Sequence, residues 1–214
     1  MVEQAARPYL SLETLSPGTE EDFVVGRLHE GLAFEGMDLA GEALHGREVI
    51  DCRLSGSRLD DVFLSGTRMT SSSLTDCEAS SLTAAEVVLR DVEFTGCRFG
   101  DLQMYDAQLR RVAFVGCRLG YVNLRGARLI DVSFVDCQVD DLDLGSALVT
   151  RLTIGSGVIS RLTVGESVLK DVDLRGAQLG EIDQIAGLRG ATISPAQLLE
   201  IAPDLARECG IEVG

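Results

Sequence analysis

A five-residue period constrains this chain more than any other feature. Every fifth residue from Phe34 to Gln184 is apolar without a slip in register, and Gln184 is the one exception among thirty-one positions. Internal repetition of this kind sets the architecture of a chain. Period five fits neither an α-helix, with 3.6 residues per turn, nor a flat strand, with two. The chain is therefore expected to turn after every fifth residue.

A second row of small or β-branched residues lies two positions before each apolar residue, as at Cys52 and Val62. The remaining positions are mostly polar, and the fifth is often Gly, Asp or Ser, as at Gly56 and Asp61, which supplies turn chemistry. Several residue types also recur at intervals of twenty: Cys77, Cys97, Cys117 and Cys137; Phe94, Phe114 and Phe134; Ala107, Ala127 and Ala147. Four sides of five residues thus predict a square coil with twenty residues per turn.

This pattern resembles the pentapeptide-repeat family, whose members are right-handed quadrilateral β-helices. We predict an all-β fold, a right-handed quadrilateral β-helix of about 7–8 coils of 20 residues and about 35 Å in length, with a C-terminal α-helical cap. Three segments are expected: an N-terminal capping segment (1–31), the pentapeptide-repeat β-helix (32–184) and a C-terminal helical cap or dimerisation segment (185–214). Glu42 and Arg47 occupy inward positions, which predicts a distorted first coil.

The C-terminal segment carries a helix-start signature. Ser194 is placed as an N-cap, Pro195 follows at the first helical position, and Gln197 completes a capping box. Pro203 is expected to kink or split the helix. An apolar stripe follows the capping box, and it favours either a cap over the last coil or a homodimer interface. The stripe consists of Leu198, Leu199, Ile201 and Leu205.

Composition excludes several classes of partner. The net charge of -15 and the pI near 4.5 argue against direct nucleic-acid binding, which needs a basic surface. The N-terminus lacks the pattern of a signal peptide, and no apolar run reaches the ~18 residues of a membrane span. We therefore expect a cytoplasmic protein with a protein partner, no direct nucleic-acid binding and no membrane association.

Chemistry-bearing motifs are absent from the sequence. His29 and His45 have no partner at a catalytic spacing and are interpreted as surface residues. The four cysteines spaced by twenty would form a straight ladder, whereas zinc requires a tetrahedron of ligands, so they are interpreted as buried packing residues. We predict that the protein is not an enzyme and has no catalytic residue, no cofactor and no metal site.

Charge is distributed unevenly around the predicted coil. One side and its corners form what we call the acidic strip, whose eleven acids outweigh Arg125 and Arg161. Its members are Asp60, Asp61, Glu86, Asp101, Asp106, Asp140, Asp141, Asp143, Glu166, Glu181 and Asp183. The next side is basic, and one of its corners alternates in sign at twenty-residue intervals. That charge ladder reads Asp91, Arg111, Asp131, Arg151, Asp171.

The resemblance suggests a function for the acidic strip. Quinolone-resistance members of the family resemble duplex DNA in shape and charge and bind DNA gyrase; this chain resembles them in architecture only. The interpretation is a non-enzymatic protein that binds a partner through a rigid acidic rod, with DNA mimicry towards a type II topoisomerase (DNA gyrase) as the specific hypothesis. The alternative is a general structural scaffold or interaction module with another partner and no gyrase activity.

Overall fold

In the computed structural model, which describes residues 2–212, the chain winds into a four-sided parallel β-helix. Equivalent residues of neighbouring turns pair in register twenty apart, as Phe94 pairs with Phe114 and Phe114 with Phe134. The predicted fold class and coil period are therefore confirmed.

The strands belong to two parallel sheets, one of which holds β6 and the even-numbered strands from β8 to β18. In chain order the strands are β1 (Ser16–Pro17), β2 (Leu28–Glu30), β3 (Leu32–Glu35), β4 (Glu48–Ile50), β5 (Arg53–Ser55), β6 (Val62–Phe63), β7 (Arg68–Thr75), β8 (Glu78–Thr83), β9 (Val88–Thr95), β10 (Arg98–Gln103), β11 (Gln108–Val115), β12 (Arg118–Asn123), β13 (Arg128–Val135), β14 (Cys137–Asp143), β15 (Leu148–Ile154), β16 (Gly157–Thr163), β17 (Val168–Asp173), β18 (Ala177–Asp183) and β19 (Ala191–Thr192). Two α-helices lie at the ends, α1 (Glu20–Val25) and α2 (Pro195–Glu208).

The β-helix extends beyond the 7–8 coils that the five-residue register predicts. The first sheet follows an unbroken path from β1 to β19, which makes about nine turns. The extra pairing lies at the two ends, where the spacing departs from twenty: Ser16 pairs with Leu32, and Val172 pairs with Ala191. A register search at fixed period misses turns of sixteen or nineteen residues.

Corner residues explain why Asp and Gly punctuate the sequence. Asp51, Gly56 and Asp61 have φ of 50°, 56° and 54°, in the left-handed region that Gly, Asp and Asn adopt most readily. From β8 onward, three of the four corners usually keep this geometry. The even-numbered strands from β8 to β18 pass through the fourth corner with no positive φ, so that corner tolerates residues such as Tyr121.

The interior contains the ladders that the sequence predicts. The rings of Phe94, Phe114 and Phe134 stack at centroid distances of 4.6 and 4.7 Å and are nearly parallel. Five cysteines are buried and carry no disulfide: Cys52, Cys77, Cys97, Cys117 and Cys137. The Cys137 thiol donates a hydrogen bond to the carbonyl of Phe114 at 3.4 Å, which satisfies its only polar hydrogen inside the core.

The first coil is closed by α1. Phe23 of this helix is buried, and its ring stacks on His29 at 4.7 Å. The interpretation of His29 as a surface residue is therefore wrong, because only 2% of it is exposed. Arg47 can occupy an inward position because its guanidinium has hydrogen-bond acceptors there. It donates to the carbonyl oxygens of Val24, at 2.6 Å, and of Gly26 at the C-terminus of α1, where a cation is favourable.

Residues 5–12, here called the N-terminal strap, do not cover the first coil, although a capping role was expected for the whole of 1–31. The strap has no regular secondary structure and runs lengthwise along the β-helix. The Ala5 amide donates a hydrogen bond to the hydroxyl of Thr153, whereas the Leu12 carbonyl accepts one from Arg53 near the first turns. Only the later part of the segment, with β1 and α1, covers the first coil.

At the other end the chain leaves the coil at Gln184, the one polar residue of the five-residue row. Gln184 has φ of 59° and precedes a 3₁₀ turn at Ile185–Leu188. Helix α2 follows with the predicted capping box and Pro195 at its start. It continues through Pro203 to Glu208, so of the expected kink or split the split does not occur. Neither α1 nor α2 combines the length and hydropathy of a membrane-spanning helix.

Candidate protein-interaction surface

The acidic strip follows the fourth corner and the side after it. Along the corner the residues of neighbouring turns pair in register, in the order Asp101, Tyr121, Asp141, Arg161, Glu181. An acid thus occupies every second turn, or about 9.6 Å at the ~4.8 Å strand spacing. The strip is a straight row of separated carboxylates on a rigid frame rather than a continuous charged line.

The eleven acids differ in accessibility. Six are exposed: Asp61, Glu86, Asp106, Asp140, Glu166 and Glu181. Four are half-buried: Asp60, Asp101, Asp141 and Asp183. Asp143 alone is buried, so the strip offers ten accessible carboxylates instead of the eleven that the periodicity assigns to it.

Asp143 is enclosed by its own neighbours. Its carboxylate accepts hydrogen bonds from the Gly145 amide at 2.8 Å, the Arg125 guanidinium at 3.2 Å and the Tyr121 hydroxyl at 3.3 Å. Gly145 lacks a side chain, and Arg125 occupies the space that a Cβ there would fill. Asp143 therefore fixes the turn and is not available to a partner.

Arg161 divides the strip into two halves. Its guanidinium lies 3.1 Å from Glu181, 3.8 Å from Asp141 and 4.0 Å from Asp183. Burial raises the pKa of Asp141; Arg161 opposes this shift, while the neighbouring carboxylates add to it. The C-terminal half of the strip is thus partly neutralised by a bridging cation.

The N-terminal half keeps more free charge. Asp60 pairs with Arg58 at 3.6 Å and accepts from the Ser80 amide and hydroxyl at 2.6 and 2.7 Å, bonds that lower its pKa. Four exposed acids of this half take part in no ion pair within residues 2–212: Asp61, Glu86, Asp106 and Asp140. These exposed carboxylates are the part of the strip best suited to meet a cationic partner.

A groove beside the strip escaped the sequence analysis. It has a volume of about 540 Å³, and its lining includes two glycines, two arginines and three acids: Gly100, Gly120, Arg98, Arg118, Asp60, Glu78 and Asp140. A Cβ at Gly100 or Gly120 would lie 2.5 or 2.2 Å from the carbonyl oxygen of the residue one turn earlier, so glycine is required for the close approach of the turns here. Both pairs recur at twenty residues, so a search for glycine and arginine at the coil period would have found the groove.

The apolar residues of the C-terminal helix face two ways. Ile201 is buried and Leu205 half-buried, whereas Leu198 and Leu199 are 48% and 77% exposed. The buried Gln197 donates its amide hydrogens to the carbonyls of Leu174 and Ala177 at 2.7 and 2.8 Å. The helix therefore covers the last coil with one face and leaves two leucines uncovered on the other.

Residues 2–212 contain no group of three His, Cys, Asp or Glu side chains arranged to hold a metal ion. Burial raises the pKa of the Cys52 thiol, which disfavours the reactive thiolate.

Comparison with known proteins points to one family. Two family models match, "Pentapeptide repeat region" over residues 87–164 and "Pentapeptide repeats (8 copies)" over residues 50–81, and together they span just over half of the chain. No curated protein sequence matches it.

Solved structures similar to this chain include two of one protein and one of another. A trypsin-treated variant of QnrB1, a plasmid-mediated fluoroquinolone resistance protein, is 18% identical with a TM-score of 0.41, covering 94% of this chain and 99% of that one. Full-length QnrB1 is 17% identical with a TM-score of 0.31, covering 89% and 94%. HetL, a protein involved in heterocyst differentiation regulation in the cyanobacterium Nostoc sp. strain PCC 7120, is 16% identical with a TM-score of 0.31, covering 76% and 89%.

Proposed function

Because this chain belongs to the pentapeptide-repeat family, we propose that it acts without catalysis, by binding a protein partner through the acidic strip. The observation that carries the proposal is the set of exposed, unpaired carboxylates at Asp61, Glu86, Asp106 and Asp140. Parallel strands hold them at fixed spacing, so their field is presented without the entropy cost of ordering a loop.

The specific partner we propose is the basic DNA-binding groove of a type II topoisomerase, DNA gyrase. About nine turns give a rod about 43 Å long at ~4.8 Å per turn, over which duplex DNA carries about 25 phosphate charges. Ten accessible carboxylates supply less than half of that charge on one side of the rod. Binding is thus expected to be weaker than that of DNA and steeply dependent on salt.

Neutralising the four unpaired acids tests this proposal. The variant Asp61→Asn, Glu86→Gln, Asp106→Asn, Asp140→Asn keeps the turns, since Asn tolerates the positive φ at Asp61 and Asp106. We expect gyrase binding to weaken about tenfold or more, mainly through slower association, with a matching loss of effect on supercoiling.

The matched control removes four exposed acids from other sides, with Glu35→Gln, Glu48→Gln, Asp76→Asn and Asp136→Asn. It changes the net charge by the same amount and should bind almost as the wild type does. Equal weakening in both variants would mean that gyrase binding depends on net charge alone. If the first variant binds gyrase as the wild type does, the strip is not the binding surface.

The arginine groove favours the alternative, an interaction module with a different partner. A purely basic DNA-binding surface would not be attracted to Arg98 and Arg118, which carry charge of the same sign. A partner with mixed charge would contact both the groove and the strip. A stoichiometric partner whose binding weakens in Arg98→Gln/Arg118→Gln, together with an absence of any gyrase effect at micromolar protein, would favour this alternative over gyrase.

A homodimer through α2 is also proposed. The uncovered Leu198 and Leu199 lie side by side at the end of the rod, where apolar contact between two copies would bury them. An end-to-end pair would present two acidic strips along about 86 Å, twice the length given above. Its test is described in the Discussion.

A further inference from the structure

The N-terminal strap is held along the β-helix by side chains of the charge ladder. The amide of Ala6 donates to Asp131 and the amide of Tyr9 donates to Asp91, each at 3.1 Å. Arg53 donates to the carbonyl of Leu12 at 3.2 Å. Every third residue of the strap, counted from Ala6, therefore makes a polar contact with the coil.

This spacing matches the geometry of the coil. Asp131 and Asp91 are forty residues apart in the chain, and Asp91 and Arg53 are thirty-eight apart. Because each turn has about twenty residues, each step of three strap residues crosses two turns. Two turns rise about 9.6 Å at the strand spacing, and three residues of polyproline II rise about 9.3 Å. An extended peptide is thus commensurate with this edge of the β-helix, and the same side of the peptide faces the coil at each contact.

The ladder supplies acceptors that are fixed in place. Asp91 receives two hydrogen bonds from Arg111, both 2.5 Å, and Asp131 receives two from Arg151, of 2.6 and 2.8 Å. Both carboxylates are more than 90% buried, and each still has an oxygen that accepts a strap amide. Carboxylates held in this way recognise a backbone N–H with little loss of entropy.

The strap is suited to the site but weakly held. Pro8 lies between the two donating amides, where its missing N–H costs nothing and its fixed φ favours the extended form. The side chain of Tyr9 is 75% exposed, so the contact rests on the backbone. A terminal segment attached by four hydrogen bonds can be exchanged for another peptide of the same form.

We propose that the edge formed by Asp91, Asp131 and Arg53 is a binding site for an extended peptide, and that the N-terminal strap is its resident occupant. The peptide it takes has two free backbone N–H groups three residues apart for Asp131 and Asp91, a carbonyl oxygen three residues further on for Arg53, and a polyproline II conformation between them. This site stands apart from the proposed function, because Asp91 lies ten residues, half a coil, from Asp101 of the acidic strip and so at the opposite corner.

A full-length variant that vacates the site gives the test. Ala6→Pro/Tyr9→Pro removes both donating amides while preserving an extended strap. A fluorescent peptide of residues 2–15 should then bind this variant at least ten times more tightly than it binds the wild type, in which the tethered strap competes at an effective concentration of about millimolar. Fluorescence anisotropy measures the affinities, and circular dichroism verifies the fold.

Two comparisons decide the outcome. Adding Asp91→Asn/Asp131→Asn to the vacated variant should abolish peptide binding, whereas adding Asp51→Asn/Asp171→Asn, in the same column but without strap contacts, should leave it unchanged. A peptide that itself carries proline at positions 6 and 9 should fail to bind. The proposal is overturned if the folded, vacated variant binds no peptide, or binds it as weakly as the wild type does.

Discussion

At the scale of residues, position within the five-residue unit sets the physical demand on each side chain. The inward residues are packed on all sides, so ring stacks on ring, as Phe94, Phe114 and Phe134 do. Corner residues instead adopt positive φ, which Asp tolerates better than most. Arg111 and Arg151 adopt it as well, with φ of 51° and 55°, and their paired hydrogen bonds to aspartate offset a strain of about 1–3 kcal/mol each.

Removal of the central ring of the phenylalanine ladder should be costly. Phe114 is fully buried between two rings, so Phe114→Ala leaves a cavity and should lower the free energy of unfolding by about 3–5 kcal/mol. Phe63→Ala is the control: its side chain is 43% exposed and should cost less than about 1 kcal/mol. Urea unfolding compares the two, and equal costs would contradict a packed ladder.

At the scale of elements, the two ends of the β-helix are closed by different chemistry. At the N-terminal end α1 places an aromatic ring on the first coil and is capped by Arg47. At the C-terminal end Gln197 donates to the carbonyls of Leu174 and Ala177, and the second is the kind of carbonyl that an amide of the next coil satisfies elsewhere in the β-helix. Exposed strand edges invite aggregation, so both closures protect the ends.

Gln197 should matter more than a typical surface glutamine. Gln197→Leu removes the side-chain donor from the buried carbonyl of Ala177, leaves the Leu174 carbonyl with only the Ala177 amide, and breaks the capping box of α2, at a cost of about 2–3 kcal/mol. Gln178→Leu, on an exposed position of β18, is the control and should be nearly neutral. The measurement is the free energy of unfolding in urea; a neutral Gln197→Leu would mean that α2 does not stabilise the last coil.

The N-terminal closure should be sensitive to acid. Burial, followed by the nearby Arg47, lowers the pKa of His29, while Asp22 opposes the shift. An unfolded histidine titrates near ~6.5, so below that pH the unfolded chain binds the proton more readily. The stability due to His29 is present above ~6.5 and is lost as the pH falls towards the folded pKa.

His29→Phe, which keeps an aromatic ring against Phe23, should remove most of the loss in unfolding free energy between pH 7.5 and pH 5.5. His45→Gln serves as the control, because His45 is exposed and should leave the pH dependence intact. If His29→Phe retains the wild-type slope in urea titrations at these pH values, another group is responsible.

At the scale of the whole molecule, each turn contacts only its neighbours, so columns of like residues remain straight along the rod. The acidic strip and the N-terminal strap occupy opposite corners, and α2 lies at one end. A partner on the strip and a peptide on the strap edge would therefore not compete for the same surface, whereas Glu181 and Asp183 at the end of the strip line a cleft with Asp204 and Arg207 of α2.

The oligomeric state tests the contribution of α2. Light scattering after size exclusion should give twice the monomer mass of 22.9 kDa for the wild type and the monomer mass for Leu198→Lys/Leu199→Lys. Leu148→Lys/Val168→Lys is the matched control, since it alters two exposed apolar residues on the side of the rod and should remain dimeric. A monomeric wild type would exclude the dimer and leave α2 as a cap.

The sequence by itself determined the repeating part of this protein. Period five and its recurrence at twenty predicted the coil, the inward rows and the ladders of cysteine and phenylalanine, because each depends on contacts that recur in every turn. The capping box at Ser194 was predicted separately, from the local sequence Ser194, Pro195 and Gln197. The tertiary structure decided which charged side chains are accessible to a partner. Asp143 is enclosed by Arg125, Arg161 bridges three acids, and His29 is buried under α1. Such contacts depend on how long side chains bend and where non-repeating segments dock, and a periodic pattern carries no information about either.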